Sequence, residues 1–187
     1  MKKKIERLIK EDISVKNSLV KTQLGAIETL AKMMLSTIKS GNKILIFGNG
    51  GSASDSIHIA AELVGRFRKE RKAIPAIALA SNISILTALS NDYSFERIFE
   101  RQIEALGKKG DMAIGISTSG KSKNVILGIQ KASKMKLKTA ALIGKRKTML
   151  SQIADVSISV PSNSTPRIQE SHITIGHIVC EIIEDAL

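Results

Sequence analysis

Five short apolar runs alternate with segments of helical periodicity along most of this chain, and this alternation constrains the fold more than any other feature. The runs lie at residues 44–47, 75–79, 112–116, 139–143 and 156–160. Strands that alternate with helices pair in parallel, because each helix returns the chain across the sheet in a right-handed crossover. The sequence therefore predicts a three-layer α/β fold with about five parallel strands.

The segments between these runs carry apolar residues at steps of three and four, which is typical of helices that bury one face. They lie at residues 53–67, 83–89, 95–106 and 123–135, with a short one near Met149 and a last one from about Pro166 to the C-terminus. A similar stripe over residues 24–38 ends at Gly41-Asn42, a pair typical of a helix C-cap. We therefore expect one domain over residues 1–187, with an N-terminal helical segment over 1–40 and an α/β core over 41–187.

The formal net charge of +12 suggests a nucleic-acid partner, because clustered lysine and arginine attract phosphates. However, aromatic residues make up only 3% of the chain, so few side chains could stack on bases. The basic residues are also spread over the N-terminal segment, residues 66–72 and residues 121–147. We therefore expect solvated basic faces that attract a small anionic substrate, and no nucleic-acid partner.

The sequence carries no signal for a membrane or for secretion. Its apolar runs are too short to span a bilayer, and the basic N-terminus is not followed by the apolar core and cleavage site of a signal peptide. The single cysteine, Cys180, lies in an apolar helical pattern and is typical of a buried thiol in a reducing compartment. We therefore expect a cytoplasmic protein without a membrane partner.

The loop after the first strand is the first candidate site. It contains Asn49, Gly50 and Gly51 and precedes a helix, so its backbone N–H groups suit an anion or the hydroxyls of a sugar. His58 and Glu62 follow on one face of that helix, four residues apart. Such a pair is most often an exposed polar pair, but its position directly after a glycine-rich loop favours an active site.

A second loop, residues 115–122, matches the phosphate-binding pattern G-x-x-x-x-G-K-[ST] between a strand and a helix. Taken alone, this match predicts an ATPase or a GTPase. No apolar strand ends in an aspartate placed to hold magnesium, and four hydroxyl residues crowd the loop. These are Ser117, Thr118, Ser119 and Ser122. We therefore favour a phosphate site for a small phosphorylated molecule at a helix N-terminus.

The histidines of the last helix are candidates for a metal site, because imidazole and carboxylate groups suit zinc. His172 and His177 both follow Gln169 on this helix. Gln169 and His172 are three residues apart and share a face easily. Gln169 and His177 are eight residues apart, roughly 80° around the helix and roughly 12 Å along it. The spacing alone leaves both histidines as candidates to join His58 and Glu62.

Six motifs, in order along nearly the whole chain, resemble those of the phosphoheptose isomerases, which are sugar isomerase (SIS) domain proteins. The motifs are Gly48-Asn-Gly-Gly-Ser-Ala, His58-Ile-Ala-Ala-Glu62-Leu-Val-Gly-Arg66, Asn91-Asp92-Tyr-Ser-Phe, Gly115-Ile-Ser-Thr-Ser-Gly, Arg167-Ile-Gln169-Glu and Gly176-His177. The resemblance implies a flavodoxin-like SIS fold with a five-stranded parallel sheet and an added N-terminal helix. It also implies a homotetramer with active sites at subunit contacts and one zinc ion per subunit.

The resemblance further implies the roles of individual residues. His58, Glu62, Gln169 and His177 would bind zinc, which favours His177 over His172, and Glu62 and His177 would also be the catalytic acid–base pair. The implied substrate-binding residues are Asn49, Gly50, Gly51, Glu62, Asn91, Asp92, Ser117, Thr118, Ser119, Ser122 and Gln169.

The implied reaction is the aldose–ketose isomerisation of sedoheptulose 7-phosphate to D-glycero-D-manno-heptose 7-phosphate, in heptose synthesis for lipopolysaccharide or capsule. This chemistry needs a base for the proton α to a carbonyl and an acid for the neighbouring oxygen, through an enediol. The alternative is a non-catalytic binding module resembling the DnaA initiator-associating protein, in which the positions equivalent to Glu62 and His177 lack reactive residues. Because both residues are present here, we expect an enzyme.

Overall fold

The computed structural model describes residues 1–145 and 147–187, and its centre is a five-stranded parallel sheet between two layers of helices. The strands are β1 (Ile44–Gly48), β2 (Ala76–Ala78), β3 (Met112–Ser117), β4 (Lys138–Gly144) and β5 (Val156–Val160). They lie in the order β2-β1-β3-β4-β5, which is the flavodoxin-like order. The predicted α/β fold with five parallel strands is confirmed.

Eight α-helices flank the sheet in the described part of the chain. They are α1 (Lys2–Thr22), α2 (Leu24–Lys39), α3 (Gly51–Val64), α4 (Ile83–Asp92), α5 (Ile98–Leu106), α6 (Lys123–Lys134), α7 (Met149–Ile153) and α8 (Thr165–Asp185). A turn of 3₁₀ helix, Phe95–Arg97, precedes α5. The predicted N-terminal helical segment is present as two helices, because the chain bends at Gln23, where ψ is −1°. The side-chain oxygen of Gln23 accepts a hydrogen bond from the backbone of Ser159 on the edge strand β5, at 3.0 Å.

The helix after β1 ends earlier than its periodicity predicts, at Val64 instead of residue 67. The carboxylate of Glu184 accepts hydrogen bonds from the backbone N–H groups of Phe67, Arg68 and Lys69, at 3.0, 2.7 and 3.0 Å. These N–H groups are therefore held by α8 and do not continue the helix.

The sheet is buried on both faces, which explains why its strands read as continuous apolar runs. Along β1, Ile44 and Ile46 pack into the core beneath α1, α2, α3 and α8. Leu45 and Phe47 pack into the core on the opposite face, beneath α5 and α6. None of the helices in the described residues combines the length and apolar content that crossing a membrane requires.

The carboxyl ends of β1 and β3 lie side by side, with Gly48 paired to Ile116 in the register. The chain leaves β1 toward one side of the sheet and β3 toward the other, so these two strands flank the point where the strand order reverses. Open α/β sheets bind ligands at this edge. The two candidate loops, after β1 and after β3, therefore lie next to each other at the carboxyl edge of the sheet.

Candidate active site

Two asparagines tie the loops after β1 and β3 together. The amide nitrogen of Asn49 donates to the amide oxygen of Asn124 at 2.8 Å, and the amide nitrogen of Asn124 donates back to Asn49 at 2.9 Å. Asn124 is buried in the first turn of α6. None of the sequence motifs includes Asn124, although an amide at the start of a helix directly before the apolar Val125 was a usable signal. The pair fixes the distance between the two loops.

The loop after β1 also meets α8 at Gln169. A Cβ atom added to Gly51 would overlap the side-chain amide nitrogen of Gln169, so the missing side chain of Gly51 leaves room for this amide. Gly51 is the first residue of α3. The structure thus brings the predicted site residues Gly51 and Gln169 into contact, although the sequence separates them by more than a hundred positions.

His58, Glu62 and His177 form a cluster about two turns further along the same two helices, α3 and α8. The Nε2 atom of His58 lies 3.0 Å from a carboxylate oxygen of Glu62 and 3.4 Å from Nε2 of His177. One ligand atom from each residue lies within 4.8 Å of the others. The side chains of His58 and Glu62 are 47% and 24% exposed, so a small molecule can reach them. Two imidazoles and one carboxylate are a donor set that binds zinc at catalytic sites, so these residues fit a metal of that kind.

His172 lies away from the cluster, in the core. Its Nε2–H donates to the carbonyl oxygen of Ile143 on β4 at 3.2 Å, and its side chain is fully buried. This burial lowers the pKa of His172 to about 4. Helical spacing favoured His172 as the partner of Gln169, but α8 turns the face with Ile168, His172 and Ile175 toward the sheet. The structure therefore places His177, and not His172, beside His58 and Glu62.

The C-terminal end of α3 is fastened to α8 by an ion pair that the sequence analysis missed. The guanidinium of Arg71 lies 3.3 Å from the carboxylate of Glu184, and both side chains are almost fully buried. Arg71 also donates hydrogen bonds to the carbonyl oxygens of Glu62 and Leu63, at 2.7 and 2.9 Å. These are carbonyls at the end of a helix, which have no partner within the helix itself. The ion pair thus holds the helix that carries His58 and Glu62 against the helix that carries His177.

Two further side chains border the cluster. The ring of Phe67 lies 5.6 Å from the ring of His177, between centroids, and covers one side of it. Asp55 lies one helical turn before His58, and its Oδ2 atom is buried without a hydrogen-bond partner among the described residues. Burial raises the pKa of Asp55 to about 6, although the nearby His58 opposes the shift. Spacing of three residues from His58 could have identified Asp55 from the sequence.

The loop after β3 is organised by its own hydroxyl groups. The Oγ atoms of Ser117 and Ser122 lie 3.0 Å apart, and the N–H of Gly120 donates to Ser117 Oγ at 3.1 Å. The hydroxyl of Ser119 accepts from the N–H of Lys121 at 3.2 Å. Ser122 is the N-cap residue of α6. The loop therefore presents hydroxyls and backbone donors at the N-terminus of a helix, which suits a phosphate.

Asn91 and Asp92 lie at the end of α4 and are exposed. Their side chains bond to each other, with the Asn91 amide donating to Asp92 at 3.0 Å. Within the described residues, neither side chain makes a polar contact with the cluster or with the loops after β1 and β3. The single chain thus does not bring these two predicted substrate-binding residues to the others, and their role stays a prediction.

The fold and sequence are similar to known proteins over the whole chain. Residues 9–144 match the family model of the SIS domain. A phosphoheptose isomerase from Aquifex aeolicus is 52% identical over 99% of this chain and 97% of its own length. Solved structures of phosphoheptose isomerases from Neisseria gonorrhoeae and Francisella tularensis superpose with TM-scores of 0.93 and 0.94, at 36% and 34% identity. They cover 100% and 98% of this chain, and it covers 99% and 97% of them.

Proposed function

Because the chain belongs to the phosphoheptose isomerases of the SIS domain family, we propose that it converts sedoheptulose 7-phosphate to D-glycero-D-manno-heptose 7-phosphate. Membership of this family makes the chain an isomerase, and what we propose is its substrate, sedoheptulose 7-phosphate. The observation that carries the proposal is the convergence of His58, Glu62 and His177 from α3 and α8. A carboxylate and an imidazole in contact range are the groups that an aldose–ketose isomerisation requires.

In the proposed mechanism, Glu62 is the base and His177 is the acid. Glu62 takes a proton from C1 of the ketose while His177 gives a proton to the carbonyl oxygen at C2, which produces an enediol. The proton on Glu62 exchanges with solvent, because this side chain is 24% exposed. Glu62 then gives a proton to C2, and His177 takes the proton of the hydroxyl at C1, which leaves the aldehyde. Both residues end in their starting protonation states. A base and an acid positioned in this way contribute roughly 10²–10⁴-fold each to the rate.

We propose one zinc ion per subunit, held by His58, Glu62 and His177 with Gln169 as the fourth ligand. The distances within the cluster support the first three ligands. Gln169 contacts Gly51, two helical turns before His58 on α3, so its assignment as a ligand rests on the family resemblance. When bound, zinc would polarise the substrate carbonyl. The ion pair of Arg71 and Glu184 holds α3 against α8 without a metal, so the packing of the chain itself positions the proposed zinc ligands.

The substrate would lie along the carboxyl edge of the sheet. Its phosphate would bind the hydroxyls of Ser117, Thr118, Ser119 and Ser122, and its sugar hydroxyls would bind Asn49, Gly50, Gly51 and Gln169. The helix N-terminus behind the serine-rich loop supports the phosphate end of this arrangement. The assignment of Asn91 and Asp92 to the substrate rests on the family resemblance alone.

We propose that the active unit is a homotetramer. Ile5, Ile9 and Ile13 form an exposed apolar stripe on α1, and α4 buries none of its residues in the single chain. Exposed apolar patches of this kind typically mark protein interfaces. Subunit contacts on these faces would cover the stripe and could bring Asn91 and Asp92 to a site. We further propose a cytoplasmic enzyme whose product supplies heptose for lipopolysaccharide or capsule.

The experiment that tests the function is to incubate the purified protein with sedoheptulose 7-phosphate and to identify the product by NMR spectroscopy. We expect the aldose heptose 7-phosphate to form. In parallel, sedoheptulose 7-phosphate should raise the melting temperature by mass action, whereas Mg-ATP at the same concentration should not. Binding of the sugar phosphate without conversion would support the non-catalytic binding module, and stabilisation by Mg-ATP alone would support a nucleotide site.

A further inference from the structure

A cavity of about 190 Å³ opens at the carboxyl edge of the sheet, between the segments that follow β3, β4 and β5. Its polar lining consists of Thr118, Ser119, Lys145, Ser162, Asn163 and Thr165. Thr118 and Ser119 belong to the loop proposed for the phosphate. The other four residues are assigned no role by the motifs of the sequence, so the cavity extends the proposed site beyond them.

The backbone fixes Lys145 at the rim of this cavity. The N–H of Gly144 donates to the carbonyl oxygen of Thr118 at 3.1 Å, and the N–H of Lys145 donates to the carbonyl oxygen of Ser162 at 3.3 Å. The N–H of Ser164 donates to Ser162 Oγ at 3.1 Å. Lys145 is therefore tied to the segment after β5, and its neighbour Gly144 is tied to the segment after β3. The side chain of Lys145 therefore starts from a fixed point between the segment after β3 and the segment after β5.

The charge of the cavity favours an anion. Lys145 is the single charged residue that lines it in the described part of the chain, and no carboxylate faces it there. Thr165, on the opposite wall, is the first residue of the 21-residue helix α8, whose N-terminus carries a partial positive charge. Hydroxyl groups, an amide and an ammonium group together match the acceptor oxygens and the negative charge of a phosphoryl group.

The position of Lys145 contrasts with that of Lys121. Lys121 is the lysine of the G-x-x-x-x-G-K-[ST] pattern, which in nucleotide-binding proteins contacts the phosphates. Here both lysines are exposed, but Lys121 is not among the residues that line the cavity. The phosphate-binding pattern and the lysine beside the cavity thus come from different segments of this chain.

We propose that Lys145 binds the phosphoryl group of the sugar phosphate, together with Thr118 and Ser119, and thereby sets the affinity for phosphorylated substrates. This inference rests on the proposed function, because it deepens the same site. Lys145 contacts the phosphate end of the substrate and takes no part in proton transfer at Glu62 and His177. Loss of its charge is therefore expected to change KM and to leave kcat nearly unchanged.

The test compares Lys145→Met with Lys147→Met and Lys121→Met. Lys147→Met is the matched control, because Lys147 is exposed, lies two residues further along and does not line the cavity. We expect Lys145→Met to raise KM for sedoheptulose 7-phosphate by roughly 10- to 100-fold, the effect of losing a hydrogen bond to a charged group. The kcat should stay within about twofold of wild type, since only binding is altered. Lys145→Arg should recover part of the affinity, and Lys147→Met should change neither constant.

Calorimetric titrations separate this inference from the proposed function. Inorganic phosphate and sedoheptulose 7-phosphate should both bind Lys145→Met more weakly than wild type, and these measurements need no turnover. If the wild-type protein binds the sugar phosphate but does not convert it, the proposed function is wrong. The titrations with Lys145→Met still test whether Lys145 binds the phosphoryl group. The inference is overturned if Lys145→Met binds the sugar phosphate as wild type does, even if free phosphate binds more weakly. It is also overturned if Lys121→Met carries the loss of affinity instead.

Discussion

The Nε2 atoms of His58 and His177 lie 3.4 Å apart, although the two residues are 119 positions apart in the chain. They meet because α3 and α8 pack side by side on the same face of the sheet. Gly176, next to His177, makes this approach possible, since a Cβ atom there would overlap the side chain of Ile59 on α3. The geometry of the candidate site is thus a consequence of how closely two helices pack.

The first prediction concerns Gly51, whose missing side chain leaves room for Gln169. We expect Gly51→Ala to change the melting temperature little, because alanine favours a helix and the displaced amide is the end of a flexible side chain. The kcat/KM should fall about tenfold or more, since a small displacement of a site residue suffices for that. If Gly51→Ala lowers kcat/KM by displacing Gln169, the double variant Gly51→Ala, Gln169→Ala should have the same kcat/KM as Gln169→Ala alone. Additive losses would show that Gly51 acts by another route.

The second prediction separates the two histidines of α8. Elemental analysis of protein purified without chelator should find zinc in wild type and in His172→Ala, but not in His177→Ala. His172→Ala should instead unfold at a lower temperature, because it removes the hydrogen bond to the carbonyl oxygen of Ile143 and opens a space in the core. Zinc retained by His177→Ala and lost from a folded His172→Ala would refute the proposed ligand set.

The third prediction is a pH dependence of stability that comes from His172. Its pKa is lowered from 6.5 to about 4 by burial, so the unfolded chain takes up a proton that the folded chain excludes. The free energy of unfolding should therefore fall as the pH falls from about 6.5 to about 4, by up to about 3 kcal/mol from this residue. Urea unfolding of wild type and His172→Gln at several pH values measures the difference.

Asp55 acts in the opposite direction over part of the same range. Its pKa is raised to about 6, so its contribution to stability is present at low pH and is lost as the pH rises through about 6. Asp55→Asn should therefore make the acid destabilisation steeper, whereas His172→Gln should make it shallower. Equal pH slopes in wild type and His172→Gln would contradict the account of His172.

The fourth prediction is the assembly state. Light scattering should give a mass four times that of the 20.2 kDa chain. Ile9→Lys should lower this mass, because it places a charge in the exposed apolar stripe of α1. Arg7→Ala, on the opposite side of the same helix, is the control and should leave the mass unchanged. A monomer at micromolar concentration in wild type would contradict the proposed homotetramer.

Much of the fold could be predicted from the sequence, because strand and helix patterns are local. The alternation of apolar runs with helical stripes predicted all five strands and their parallel pairing. Helix ends were less predictable. The end of α3 depends on Glu184, which lies more than a hundred residues later and holds the N–H groups of Phe67 and its neighbours. The break at Gln23 likewise depends on a contact with β5.

The sequence could predict the arrangement of site residues only where they lie in one continuous segment. The pair of His58 and Glu62 follows from spacing on one helix, whereas the choice of His177 over His172 depends on the rotation of α8 against the sheet. Spacing gives the angle between two residues of a helix but not the direction in which either points. Asn124 and Lys145 reach the site through contacts between separate loops, so their place in it depends on how these loops pack.

The most direct test of the central claim, that Glu62 carries an isomerisation in this site, is mass spectrometry of the reaction in D₂O. Wild-type protein and Glu62→Gln are given sedoheptulose 7-phosphate, and the aldose product is measured over time. We expect wild type to form aldose heptose 7-phosphate with deuterium from solvent at C2, and Glu62→Gln to form it roughly 10²–10⁴-fold more slowly while still binding the sugar phosphate. Turnover by Glu62→Gln near the wild-type rate would contradict the account.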